Sequence, residues 1–383
     1  MGAIGARDAH TRKPQTVTES HTAMAADPKQ LKLVKNVGSK GIAFGLDRVP
    51  ESDRIFYGSS DFKVYEFDFG AEKPESKPFE GTGHRSYVTS VALAGKIAVS
   101  CSYDRRLVWW DTETRKQIRV VEDAHKKRIR RVAASPDGKL VASVSDDMDV
   151  KVWDVATGAL KVTLQDHKPM TPNNYPSMLY AVSFSKDGKW LVTADKVGHI
   201  VVWDVATAKK LKTLESPVMY TWDPRQRRHS IGGIRSAAFS HDGKLLAVGG
   251  IGKIGNIDHL GGPSRIEVFE WQTGKKLHQL EDGKFKGLVE QIAFSPDGTF
   301  FIAAGGDHNG FISIYDTKTG KVIKQEKAPM HVHQFVVNEP HDTVYAVGHE
   351  KLVTWELKAP VPKKDGTPKD GDKKGEKKDA KKA

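Results

Sequence analysis

Residues 129–154 read Ile129-Arg-Arg-Val-Ala-Ala-Ser-Pro-Asp-Gly-Lys-Leu-Val-Ala-Ser-Val-Ser-Asp-Asp-Met-Asp-Val-Lys-Val-Trp-Asp154. Apolar and polar residues alternate here in three short runs, 130–135, 139–145 and 150–155, each the length of a strand. The first two runs meet at Pro136-Asp137-Gly138, where glycine reaches positive φ without a Cβ clash, a strong hairpin signal. The acidic pair Asp146-Asp147 opens the third run. The stretch therefore predicts an antiparallel three-stranded meander.

The pattern recurs in both directions along the chain. Trp110-Asp111, Trp153-Asp154 and Trp203-Asp204 are good copies of its end, and Tyr65-Glu66, Phe269-Glu270, Tyr315-Asp316 and Trp355-Glu356 are degenerate ones. Each keeps a large side chain followed by an acid. Successive copies are 45, 43, 50, 66, 46 and 40 residues apart. The Asp-Gly turn returns at 187–188, 242–243 and 297–298, and a Thr-containing turn such as Ala156-Thr157-Gly158 leads to an outer strand. A meander ending in Trp-Asp at this period resembles a WD40 repeat.

The resemblance implies an all-β fold: a seven-bladed β-propeller of four-stranded antiparallel blades spanning residues 30–357. Blades are expected near 41–81, 82–123, 124–165, 166–214, 215–281, 282–327 and 328–357, the last completed by the apolar run 30–36. That overlap would leave no unpaired edge where the ring joins. A chain of 383 residues would otherwise be expected to split into two cores; repeat units escape the limit because each packs only on its neighbours.

The resemblance also implies structural tetrads: His84, Ser100, Asp104 and Trp110, then His125, Ser143, Asp147 and Trp153. They serve as hydrogen-bonded braces and not as acid–base pairs. Val197 stands where the next aspartate would be and His349 where the last would be, so those blades are expected to rely on packing alone.

Flanking segments differ in composition. Residues 1–29 are expected to be a disordered extension, within which Met24 is an alternative start. Residues 358–383 hold ten Lys against four Asp and one Glu and no aromatic residue, which predicts a disordered basic tail able to touch polyanions weakly. The whole chain carries a formal charge of +12. No run reaches the roughly 18 apolar residues of a membrane helix, and no signal-peptide core precedes the repeats. The lone Cys101 has no intrachain partner, which fits a cytoplasmic monomer.

Three long insertions, 167–178, 216–233 and 251–264, are expected on one face beside blades 4 and 5. They carry Tyr175, Met219, Tyr220 and Trp222, types favoured as interface anchors, with Arg225, Arg227 and Arg228 for bidentate contacts. Lys127, Arg128 and Arg130 are expected near the same rim. Two readings stay open: a patch for an acidic peptide or protein segment, or a cap in which Tyr220 and Trp222 fold back and the arginines are solvated.

Other chemistry finds little support. Gly250-Ile-Gly-Lys-Ile-Gly255 matches G-x-G-x-x-G, but a strand follows it where a dinucleotide site needs a helix. No cofactor is expected. His331 and His333 share one side of a strand, with His341 and His349 close in sequence; with no Cys and few carboxylates nearby they read as ordinary histidines and no metal is expected. Asp146 to Asp149 reads likewise as structural. The resemblance thus implies a non-catalytic scaffold with a protein partner. A nucleic-acid- or ribosome-associated factor using its basic surface is the second reading.

Overall fold

A computed structural model of the chain describes residues 26–358. Among them stand seven four-stranded antiparallel sheets and one separate two-stranded hairpin, and the single helical element is the 3-10 turn Pro217–Met219. Blades 1 to 6 span 43–78, 88–121, 129–164, 179–215, 236–286 and 288–328. The first strands of successive blades touch in a closed ring, blade 7 against blade 1 included, around a central channel of about 440 Å³.

Closure follows the sequence expectation with a shifted boundary. The strand Lys32–Gly38 pairs antiparallel with Lys351–Glu356, setting Leu33 opposite Trp355. A register shift at Val34 turns that side chain outward, while Leu31 is buried in the core of blade 7. Pairing reaches back before residue 30, because the Asp27 N–H donates to the Leu357 carbonyl at 2.8 Å. The expectation of disorder for 1–29 and 358–383 fails at residues 26–29 and 358, where Ala26 bridges Lys358; the rest of both segments lies outside the described residues.

Seven apolar clusters hold the ring, and each draws on two adjacent blades. Trp110 and Phe56, for example, join blades 2 and 1, and Phe301 and Ala247 join blades 6 and 5. Strands covered on both faces are buried at nearly every position, as in Phe300–Gly306. Stability therefore resides between blades.

The polar signature residues close turns. Ser135, Ser185, Ser240 and Ser295 each donate to the aspartate two residues on at 2.6–2.7 Å, and the following glycine sits at φ 69–72°. The acid after tryptophan caps the next turn: Asp154 accepts from both N–H and Oγ1 of Thr157 at 2.9 and 2.8 Å. Both expected tetrads form. His125 Nε2 meets Ser143 Oγ at 2.7 Å and Nδ1 meets Asp147 at 3.1 Å, while Trp153 Nε1 donates to Ser143 Oγ at 2.9 Å. The His84, Ser100, Asp104 and Trp110 set repeats this geometry.

Blade 4 corrects the expectation of packing alone. His167 bridges Asp195 at 2.9 Å and Thr193 at 2.8 Å, and Trp203 Nε1 donates to Thr193 at 3.0 Å. The aspartate comes two residues after the hydroxyl instead of four, from the end of the strand, so Val197 vacates nothing. Blade 5 differs again. Its buried Glu267 pairs with Arg265 at 2.6 Å and with Lys276, an ionic brace in place of the tetrad.

Candidate binding surface at the channel mouth

The channel has two ends, and the inner strands all begin at the same one. That end also carries the turns between second and third strands. In six blades the inner strand slips register just after its first buried apolar residues, and the displaced residues are Phe44, Thr89, Arg130, Tyr180, Glu290 and His333. Arg235, whose N–H donates to Gly249, holds the same place in blade 5. Each follows a residue buried to 0% exposure: Ala43, Val88, Ile129, Leu179, Ile234, Val289 and Val332. A bulge re-aims a side chain, so six bulges and the equivalent position of blade 5 present seven side chains around one opening.

The arc from blade 3 to blade 5 is cationic and aromatic. Arg130 is fully engaged: it forks onto Asp146 at 2.6 and 2.7 Å, donates to Tyr103 Oη at 2.7 Å, and lies 5.4 Å from the Tyr180 ring. Arg235 stacks on Tyr180 at 3.4 Å, yet its buried Nη1 has no acceptor. Arg131 reaches across to the Arg235 carbonyl at 3.3 Å and Gln291 at 3.2 Å, and burial lowers its pKa. Lys196, in the turn of blade 4, is 5% exposed. Burial, then the charges of Arg235 and Arg130, lower it to about 8. Among the described residues, Arg131, Arg235 and Lys196 have no salt bridge to a carboxylate.

Blades 6 and 7 supply the opposite arc. His331, His333 and His349 stack with ring centroids 4.6–5.5 Å apart, and His333 also packs on Phe44. Burial, then the neighbouring His331, pushes His333 down to about 3. Burial opposes ionisation of Glu290, but the adjacent His331 and the charge of Arg235 hold it at about 2. One carboxylate does stand beside these histidines, Glu290, which arrives from the neighbouring blade. His341 lies apart, against His241 toward the other end of the channel.

The three insertions do converge. Residues 220–232 form a hairpin, Tyr220–Asp223 against His229–Gly232. Tyr175 Oη donates to the Asp223 carbonyl at 3.0 Å, Tyr220 Oη meets Thr171 Oγ1 at 3.0 Å, and the Ile254 N–H donates to Thr221 at 3.2 Å. Arg227 pairs with Asp258. Gly233 at the hairpin base abuts Lys196, with room for no Cβ, so the hairpin continues the cationic arc.

Individual assignments separate. Trp222, Arg225 and Arg228 are exposed, as are Lys127 and Arg128, the latter over the Tyr103 ring. Met219 is corrected: it is fully buried beneath the hairpin in the core of blades 4 and 5, where it fills space and contacts no partner. Arg130 likewise already has each of its three guanidinium nitrogens hydrogen-bonded within the fold. Arg131, Lys196 and Arg235 escaped the sequence reading. Their signal was a charged residue next to the buried apolar residue that opens each inner strand, or in the turn facing it. Gly250 is paired within a strand and no helix follows, which leaves no dinucleotide cradle. Asp146 and Asp147 are committed to Arg130 and His125. No helix among the described residues is long and apolar enough to cross a membrane.

Comparison with known proteins agrees with this architecture. The family model described as WD domain, G-beta repeat matches residues 77–111, 115–154, 161–204 and 274–316. The chain is 28% identical over 211 residues to eukaryotic translation initiation factor 3 subunit I of Lodderomyces elongisporus, covering 53% of this chain and 52% of that protein. It is 25% identical over 315 residues to pre-mRNA-processing factor 17 of Homo sapiens, covering 73% of this chain and 52% of that one. Nuclear distribution protein nudF 1 of Talaromyces marneffei is 30% identical over 135 residues, 33% of this chain and 28% of that protein. The chain thus spans about half, or less, of the length of these curated relatives. Repeat period, seven closed blades and tetrads together make the chain a member of the WD40-repeat family.

Proposed function

We propose that the chain is a non-catalytic interaction scaffold that binds an acidic peptide or protein segment across the channel mouth and the blade 4–5 insertions. The observation that carries this reading is the set of Arg131, Arg235 and Lys196, closely placed cations with no salt bridge to a carboxylate among the described residues. Holding like charges together at a desolvated site is unfavourable, and a carboxylate-bearing ligand relieves it. Tyr180, Tyr175 and Trp222 add flat apolar surface beside the charges, the combination that anchors interfaces.

A fluorescein-labelled peptide rich in Glu and Asp, followed by anisotropy, tests the reading. Replacing Arg235 by Ala together with Lys196 by Met should weaken binding by at least about 10-fold, the loss of one or two desolvated charge contacts. Replacing Trp222 by Ala should weaken it less and leave folding stability within about 0.5 kcal/mol, as for exposed sites. Equal affinity of all three proteins would refute the site. Two relatives carry names from translation initiation and pre-mRNA processing, which supports keeping an RNA-associated role as the second reading. Steep salt dependence of RNA binding, abolished by removing 358–383, would favour it.

A further inference from the structure

On the blade 6–7 side of the mouth the fold gathers donor atoms that nothing uses. Glu290, His331 and His333 each bring one potential ligand atom within 4.8 Å of the others. His331 Nε2 and His333 Nε2 are both buried without a hydrogen-bond partner. An unpaired buried polar atom costs on the order of 1–3 kcal/mol, so two side by side call for an occupant. His331 Nε2 stands 3.6 Å from Glu290 Oε1, beyond ordinary hydrogen-bond reach. With zinc–ligand bonds of ~2.0–2.1 Å, neighbouring donors of a tetrahedron stand roughly 3.3–3.5 Å apart. The observed gap is close to that edge.

The backbone makes the arrangement rigid. His331 and His333 lie two apart at the start of one strand, and the bulge there aims His333 at the mouth. Glu290 is the equivalent bulge residue of the next blade. Gly348 packs so closely on the His331 carbonyl that an added Cβ would lie 1.9 Å from it, which fixes the strand carrying both histidines.

We propose that Glu290, His331 and His333 bind one zinc-class divalent cation that ties blade 6 to blade 7. Two imidazoles and one carboxylate are the donors of borderline transition metals, whereas calcium and magnesium take oxygen. The fourth position falls to water or to a carboxylate of a bound segment, with the exposed His349 beside it. Arg235 attracts the same carboxylate from the other arc and competes with the ion. The proposal does not depend on the acidic-segment reading, since neither Lys196 nor Arg131 is a ligand.

The full chain, stripped with EDTA, would be dialysed against zinc and its bound metal counted. One zinc per chain with micromolar or tighter affinity is expected, with a higher Tm than the stripped protein. His333→Gln and Glu290→Gln should each weaken binding at least about 10-fold, and His259→Gln, on an exposed loop, should not. Substoichiometric zinc, or full retention in both site variants, would overturn the proposal. If a variant fails to fold, cobalt(II) bound to the unaltered chain still decides: intense four-coordinate absorption supports the site, and a weak six-coordinate spectrum overturns it.

Discussion

Arg130 and Arg235 occupy the same place in blades 3 and 5, both contact the Tyr180 ring, and live in opposite circumstances. Arg130 is neutralised by Asp146 and hydrogen-bonded to Tyr103. Arg235 has a buried Nη1 with no acceptor. The position both occupy, at the start of the inner strand, is a property of the repeat; the chemistry placed there is a property of the residue. One arginine is scaffold, and the other is available to a ligand.

Substitution by alanine should therefore separate them sharply. Arg130→Ala strands the largely buried Asp146 carboxylate and should cost about 3–5 kcal/mol, as when one partner of a buried pair is removed. Arg235→Ala breaks no salt bridge; it removes the stacking on Tyr180 and a charge that favours ionised Glu290, and should cost roughly 0.5–2 kcal/mol, the worth of a cation–π contact. Chemical denaturation of the two variants reads the difference. Comparable losses would erase the distinction.

Blade 4 sits between these arginines, and its brace asks how far the scaffold side extends. His167→Ala would leave Asp195 and Thr193 buried without their shared partner, and should cost about 1–3 kcal/mol. His125→Ala should cost a similar amount in blade 3. A silent His167→Ala would return blade 4 to packing alone.

The smallest effect concerns Lys196 and pH. Its folded pKa, about 8, lies below the ordinary lysine value of roughly 10.4. Between those limits the unfolded chain binds more protons than the folded one, so stability should rise as pH climbs from about 8 toward 10. Lys196→Met should remove that rise and be more stable than the parent at pH 7. A parent profile that falls over this interval in the same way as the variant's would show that Lys196 is not strained by its neighbours.

Most of the fold was legible because Trp-Asp and Asp-Gly recur in phase, and a last blade with no fourth strand after its third at 352–357 required a partner from the chain's beginning. The mouth was not legible in the same way. A bulge belongs to the pairing of two strands, so Glu290, Arg235 and His333 look like unrelated surface residues until their strands are aligned. Met219 was misread because it lies in a loop of exposed residues, while the Pro217–Met219 turn folds it inward. Asp195 was missed because fixed spacing to tryptophan was expected, although the brace needs only a carboxylate within reach of His167.

The most direct test of the mouth as the binding site is photocrosslinking. An acidic peptide carrying a benzophenone at its centre would be irradiated with the full chain, and adducts mapped by mass spectrometry. Adducts on Tyr175, Tyr180, Trp222 or residues beside Lys196 are the predicted result. Adducts confined to the opposite end, around the Pro136-Asp137-Gly138 and Asp242-Gly243 turns, would contradict it.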